Sequence, residues 1–375
     1  KDDAQENIEW FQNNNVDIRI ISGDNPATVS KIACKVGVID GEKYLNCEGL
    51  SDEELVNSAF AYRVFGRVTP EQKAVLVEAL KEQKHTVAMN GDGVNDILAL
   101  KRADCSIAMN SGASAAKNVS HIVLINNDFS TMPEIVAEGR RVINNVSMTG
   151  SLFLTKTFFA IVLCIAFWIV SLATSNKYAY PYATNNLMIW EVFGFGLTAF
   201  FISLERNPAP IKKGFLKNVL AKAIPSAMLI ILGVAICYIA YAFQAKGIMY
   251  TGVNEFGFRL GHAKEFRTGA TAMSVVVFTG LSIVVLYNVC RPLSKYRLCI
   301  VIGSVIASAL CFLIAAFDPK NLFKINFSTI SNSNLVLIFG IILVCGYLIY
   351  YVDPITKAVK TFVLFVGRKI KDFLS

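Results

Sequence analysis

Met89-Asn90-Gly91-Asp92-Gly93-Val94-Asn95-Asp96 is the stretch on which the reading of this chain turns. It follows an apolar run at 86–89 that reads as a strand, and it opens directly into a helical pattern. Two carboxylates, Asp92 and Asp96, and the amide of Asn95 fall within five positions of one another. Gly91 and Gly93 let the backbone turn sharply and approach a bulky anion. A carboxylate at the end of a strand, flanked by glycines, is how an open α/β sheet presents a divalent metal to a phosphate. A lone Asp-Gly pair would read as a plain solvated turn. The clustering at a strand-to-helix junction points instead to metal and phosphate chemistry.

Working outward, the 375 residues allow two or three domains, and their apolar content is uneven. Residues 1–148 read as an ordinary α/β segment, whereas from about Gly150 long apolar runs with few charges begin. The net charge of +8 gives no argument for nucleic acid, because the surplus Lys and Arg cluster beside those runs. None of the nine cysteines forms a C-x-x-C pair, and Cys164, Cys237, Cys299, Cys311 and Cys345 lie inside apolar runs. They read as small buried hydrophobes in a reducing setting, not as a disulfide framework. The chain opens on Lys1 without a signal peptide, and its half-sheet lacks a preceding strand, so a fragment is expected.

Along the first part, helical spacing over 1–14 is followed by an expected strand at 17–22. That strand ends in Ser22-Gly23-Asp24-Asn25-Pro26, where Pro26 should start a helix running to about Val36. A hydroxyl and free amides there would suit an anion. After a polar connection, 64–68 reads as a short strand and 71–83 as a helix. Lys73 sits in the first turn of that helix, where the helix dipole disfavours a cation unless an anion is within reach. Strands are expected at 104–109 and 121–125 as well, giving an alternating, parallel, Rossmann-type arrangement. From Thr131 to about Ala173 one long helix should run into the apolar region.

Six apolar runs, at 152–173, 187–204, 220–243, 268–289, 298–317 and 335–352, fit the roughly 20 residues a membrane-spanning helix needs. Basic residues between runs two and three (Arg206, Lys212, Lys213, Lys217) and four and five (Arg291, Lys295, Arg297) fall on the side of the α/β segment. So does the basic, amphipathic tail 353–375, and the positive-inside rule makes that side cytoplasmic. Within the runs Lys156 and Glu191 stand out, since ionisable residues at bilayer depth are functional candidates. Gly194 and Gly196 would permit close packing or unwinding beside Glu191. A Lys156–Glu191 ion pair is the expectation.

Taken in order, Ile21-Ser22-Gly23-Asp24-Asn25, Arg67-Val68-Thr69-Pro70-Glu71-Gln72-Lys73 and the Met89 to Asp96 stretch resemble P-type transport ATPases, which belong to the haloacid-dehalogenase-like phosphotransferases. The resemblance implies a haloacid-dehalogenase-like half-domain over 1–148, an all-α bundle of six transmembrane helices over 149–352, and the cytoplasmic tail. It implies Mg²⁺ held by Asp92 and Asp96, with Asn95 ordering waters and phosphoryl group. Lys73 would neutralise an aspartyl phosphate, Ser22, Gly23 and Asp24 would bind the phosphoryl group, and Arg67 would reach ATP. A multi-pass protein of the plasma membrane is implied, with the lipid bilayer, a transported cation and the remainder of the pump as partners and nucleic acid excluded.

The departures define what is expected next. No D-K-T-G-T segment is present, and the nucleotide-binding domain, T-G-E loop and first four spans are missing, so this chain alone should not turn over ATP. Asn144 and Asn145 resemble the asparagines before the corresponding span of calcium and sodium–potassium pumps. Aligned from there, two carboxylate positions of those pumps fall near Ala160 and Phe195, while Glu191 and Thr157, next to Lys156, match polar ligand positions. One carboxylate in two spans argues against a multi-carboxylate Ca²⁺ site in this half. The alternatives are a P-type ATPase moving a lipid or polyamine and, further off, a membrane-anchored phosphatase of the same fold.

Overall fold

A computed structural model describes residues 4–173, 180, 182–211, 214–251, 260–317 and 323–351. It divides into two compact units, 1–137 and 138–375. The first begins with α1 (Ala4–Asn13), β1 (Ile20–Ile21), α2 (Pro26–Lys35), β2 (Tyr44–Asn46), α3 (Asp52–Ser58) and β3 (Val64–Gly66). It continues through α4 (Pro70–Glu82), β4 (Ala88–Asn90), a 3₁₀ turn (Val94–Asp96), α5 (Ile97–Arg102), β5 (Cys105–Met109), α6 (Ser114–Val119) and β6 (Ile122–Leu124).

All strand pairs are parallel, but they form two three-stranded sheets, ordered β1-β3-β2 and β4-β5-β6. Val64 and Phe65 of β3 pair on both sides and are wholly buried, as a central parallel strand requires. Ile107 plays the same part in β5, pairing with Asn90 and Ile122, and Ala108 beside it is equally buried. The two-residue β1 is the edge of its sheet, and among the described residues no strand pairing joins it to β4. Helix α4 serves both halves. Its Leu76 and Ala79 pack with Phe65, Leu55 and Cys47, while Val77 packs with Ala99, Ala103 and Met89. It starts with a reciprocal cap between Thr69 and Gln72, with Pro70 in its first turn.

Strand β2 and helix α3 fall in the stretch that reads as a polar connection. Leu45 is the one apolar side chain of β2, so no alternation announces it; α3 is signalled only by its Ser51–Glu54 capping box. Burial pushes the Cys47 thiol up to about 11, so it stays neutral and inert.

The second unit carries most of α7 (Met132–Ala173), α8 (Thr184–Ile189), a π-helical segment (Trp190–Gly196), α9 (Leu197–Ser203), α10 (Phe215–Thr251), α11 (Leu260–Val289), α12 (Lys295–Phe317) and α13 (Asn332–Tyr350). Six of the described helical stretches are long and apolar enough to cross a membrane. Helix α11 is surrounded by the others, and Met273, Phe278, Leu281 and Leu286 along it are fully buried. Around it Trp190 meets Phe159, Phe195 and Phe278 edge-on at 5.1–5.2 Å between ring centroids. The tail 353–375 lies outside the described residues.

Candidate functional site

The turn after β4 is fastened from several directions. The Gly91 amide donates to the Ile107 carbonyl at 3.1 Å, and the Ala113 amide to the Asp92 carbonyl at 2.8 Å. Asp96 is buried and spent on the protein itself: Oδ1 lies 2.7 Å from Lys73 Nζ, and Oδ2 accepts from the Gly93 amide at 3.2 Å. A Cβ on Gly91 would stand 2.6 Å from Asp96 Cβ, so glycine is required for this closeness. Lys73 in the first turn of α4 thus has its anion.

Four residues earlier, Asp92 is exposed, and no side-chain hydrogen bond or ion pair engages its carboxylate among the described residues. Asn95 is exposed as well. One unengaged hard-oxygen ligand beside a fixed ammonium fits Mg²⁺, which keeps several waters and takes only one or two protein carboxylates. No cluster of three or more acidic, His or Cys side chains is found among the described residues, so a fully protein-caged metal is not the geometry offered.

The Ser22 loop is built on the other sheet. The Ser22 amide donates to the Phe65 carbonyl at 2.9 Å and its carbonyl accepts from the Val68 amide at 3.1 Å. Its hydroxyl donates to Asp24 Oδ2 and accepts from the Asp24 amide, both at 3.1 Å. Asn25 caps α2 by accepting from the Ala27 amide at 3.0 Å. Gly66 passes so close to Pro26 that a Cβ would lie 2.5 Å from its Cα. Gly23 and Asp24 are exposed; Arg67, at a positive φ of 51°, pairs with Glu48. No hydrogen bond or ion pair among the described residues joins this loop to the Lys73–Asp96 group.

The residues that sequence reasoning missed lie between β5 and α6. A Cβ on Gly112 would stand 2.7 Å from the Asp92 carbonyl oxygen, and Ala113 bonds that same oxygen. Asn110-Ser111-Gly112-Ala113 is therefore the back wall of the Asp92 turn. Gly112 was the available signal, but its need arises from a neighbour twenty positions away.

In the helical unit Lys156 Nζ lies 2.9 Å from Glu191 Oε1 and 6.0 Å from the centroid of the Trp190 ring. The expected pair is present. Thr157 stays apart from it: exposed, with its hydroxyl donating to the Phe153 carbonyl of its own helix. Glu191 sits in the π-helical segment, so the chain there stays helical instead of unwinding. Ser304 of α12 donates to the Phe193 carbonyl there at 2.7 Å. Glu205 and Arg297 were also missed, because both sit among charges flanking the apolar runs. They are buried together, with Arg297 Nε donating to Glu205 Oε2 at 2.6 Å. Arg297 is thus not one of the free basic charges that the positive-inside reading counted.

With this geometry in place, comparison with known proteins shows what the chain is similar to. Residues 1–104 match the haloacid dehalogenase-like hydrolase family, and the chain contains such a domain. Beyond the domain, the chain is homologous to cation-transporting P-type ATPases over most of its length. It is 31% identical over 363 residues to the probable cation-transporting ATPase exp7 of Streptococcus pneumoniae, covering 96% of this chain and 43% of that protein. It is 35% identical to the calcium-transporting ATPase CtpE of Mycolicibacterium smegmatis, covering 85% and 40%. It is 37% identical to the P-type 1 magnesium-transporting ATPase of Salmonella typhimurium, covering 40% and 17%. The chain spans less than half the length of these relatives.

Proposed function

We propose that this chain is the C-terminal portion of a pump that moves a cation across a membrane through an aspartyl-phosphate intermediate. In this reading a carboxylate on a segment outside the 375 residues takes the γ-phosphoryl group of ATP, ADP departs, and water later removes the phosphoryl group. Mg²⁺, when bound, neutralises phosphoryl charge and aligns the transfer. Asp92 would hold it and Asn95 would order its waters. Asp96 would keep the Lys73 ammonium, which has further N–H donors, aimed at the phosphoryl oxygens, and Ser22 would exchange its bond to Asp24 for one to the same group. Gly23, Asp24 and Arg67 would frame phosphate and nucleotide.

The observation that carries the transport reading is the Lys156–Glu191 ion pair at 2.9 Å, on two membrane-crossing candidates of a chain homologous to cation pumps over most of its length. An incoming cation would compete with the Lys156 ammonium for the Glu191 carboxylate. The names of relatives span calcium, magnesium and sodium, and a single neutralised carboxylate supports no choice among them. That same neutralisation is what favours a lipid or polyamine cargo as the second reading. Basic Arg206, Lys217, Arg291 and Lys295 at one set of span ends support a cytoplasmic α/β unit, and the plasma membrane is the location proposed for the whole.

The test uses the polypeptide at the length of its relatives in everted membrane vesicles. Glu191→Gln should lower ATP-driven cation uptake at least tenfold while phosphoenzyme still forms. Cation-independent phosphorylation with polyamine- or lipid-stimulated dephosphorylation would overturn the cation cargo in favour of the second reading.

A further inference from the structure

The span that carries Glu191 is tied to α7 at two levels, and the tie away from Glu191 is the stiffer one. The last carbonyls of a helix have no partner within it. At the end of α9 another helix supplies one: Asn145 Nδ2 donates to the carbonyls of Ser203 at 3.2 Å and Glu205 at 2.8 Å. Asn144 Nδ2 donates to two carbonyls of the loop that follows α9, Asn207 at 3.1 Å and Ala209 at 2.8 Å. Asn145 is 3% exposed, and its own Oδ1 has no hydrogen-bond partner among the described residues. A buried amide that leaves its acceptor unmet is held in place for its two donors.

Behind this contact Glu205 is gripped from the far side. Its Oε1 accepts from Ser294 Oγ at 2.8 Å and its Oε2 from Arg297 Nε at 2.6 Å. Arg297 Nη1 donates in turn to the carbonyls of Pro292 at 2.9 Å and Cys290 at 3.3 Å. Tyr296 donates its hydroxyl to the Phe201 carbonyl at 2.8 Å. The end of α9 is therefore clamped between α7 and the start of α12.

The two levels match in spacing. Eleven residues separate Asn145 from Lys156, about 16 Å of α-helix, and twelve separate Glu191 from Ser203, the first part of them in the π-helical segment. As the number rises along α7 it falls along the partner, so the segments run antiparallel. Lys156 and Glu191 are long side chains that can follow an axial slip by changing rotamer. Asn145 is short, and it bonds fixed backbone oxygens. It cannot follow.

We propose that Asn145, backed by Glu205 and Arg297, is a positioning device that sets the register of Glu191 against Lys156. A displacement of α7 along its axis is then handed to the Glu191 segment instead of being absorbed between the helices. The consequence for transport rests on the proposed function; the register itself does not.

The experiment uses the full chain in lipid nanodiscs, with the exposed Cys34, Cys164 and Cys299 replaced by Ser. Lys156→Cys is combined with Glu191→Cys or with Phe195→Cys, about one turn away, and each pair is cross-linked with a short bis-methanethiosulfonate. The ratio of the two rates reads the register. With Asn145 intact the 191 pair should react at least tenfold faster than the 195 pair. Asn145→Leu should cut that ratio fivefold or more, and Asn145→Gln, which keeps both donors, should restore part of it. Where Asn145→Leu does not give a monodisperse protein, Arg297→Lys, which keeps the charge but not the fork, should cut the same ratio.

An unchanged ratio in a folded Asn145→Leu or Arg297→Lys chain reduces Asn145 to a helix cap and overturns the proposal. A ratio that falls although Glu191→Gln leaves transport intact upholds the register device and removes only the transport reading.

Discussion

Two buried ion pairs, one in each unit, are put to opposite uses. Lys73–Asp96 in the α/β unit and Arg297–Glu205 in the helical unit have similar exposures, 13% and 12% against 9% and 8%. Both carboxylates also accept a further hydrogen bond, from the Gly93 amide and from Ser294. Around Glu205 both carboxylate oxygens are engaged, and Arg297 goes on from Nη1 to two backbone carbonyls. Around Asp96 the engagement stops short, and Asp92 is left exposed four residues away with no side-chain partner among the described residues. The difference teaches what separates a fastener from a site. A site is a fastened charge beside one that has been left unfastened.

The comparison breaks most readily at Arg297. Arg297→Met strands a buried carboxylate and should cost about 3–5 kcal/mol, read from thermal unfolding of the detergent-solubilised chain. Adding Glu205→Met should return most of that loss, because an apolar pair removes the stranded charge; a double variant as unstable as the single would mean that the pair contributes more than mutual neutralisation. Lys73→Met should cost less, about 1.5–3 kcal/mol, since Asp96 keeps the Gly93 amide. It should also leave Asp96 a second free carboxylate beside Asp92, tightening Mn²⁺ binding by electron paramagnetic resonance. No gain in Mn²⁺ affinity would dissolve the distinction between the two pairs.

Gly112→Ala probes the unfastened side. The added methyl must displace the Asp92 carbonyl, at a cost of about 1–3 kcal/mol, and should weaken Mn²⁺ binding several-fold. Gly139→Ala is the matched control: a Cβ there meets nothing within 4 Å, the position is helical, and stability should rise by about 0.5–1 kcal/mol. Equal Mn²⁺ affinity in the two variants would mean that the back wall does not position Asp92.

How much of this was legible in the sequence follows from the range of each interaction. The Asp92 turn, the Thr69-Pro70 helix start and the six apolar runs are local patterns, and all appear close to their expected places. Lys156 and Glu191 were legible because charge at bilayer depth is rare enough to suggest a partner. Strand β2 was not, because its one apolar residue shows no period and pairing with β3 holds it. Gly112 and the Glu205–Arg297 pair were not, because each is defined by a residue brought close only by folding. The division into two sheets belongs with these, being decided by which strand edges pair.

A third ion pair gives the smallest effect and bounds the comparison from the exposed side. Asp17 is bracketed by Arg63 and Arg19, the latter at 3.0 Å, and its side chain is half exposed. Partial burial pushes its pKa up, but the two guanidinium groups outweigh this and hold it below the ordinary 3.8. A lowered folded value makes the ionised form the stabilising one. That contribution is complete above the unfolded pKa, near 4, and is lost as pH falls through the folded value. Solvent screening keeps it under about 1 kcal/mol at neutral pH. Arg63 also gives its carbonyl to the Ile20 amide at 2.9 Å, so hydrogen exchange at Ile20 reports on this corner of the sheet. Wild type and Asp17→Asn should differ in Ile20 protection at pH 6 and converge as the pH falls through the folded pKa of Asp17, read in the same titration from its carboxyl carbon shift. A difference that persists once that carboxyl is protonated would place the effect in packing and remove this pair from the electrostatic series.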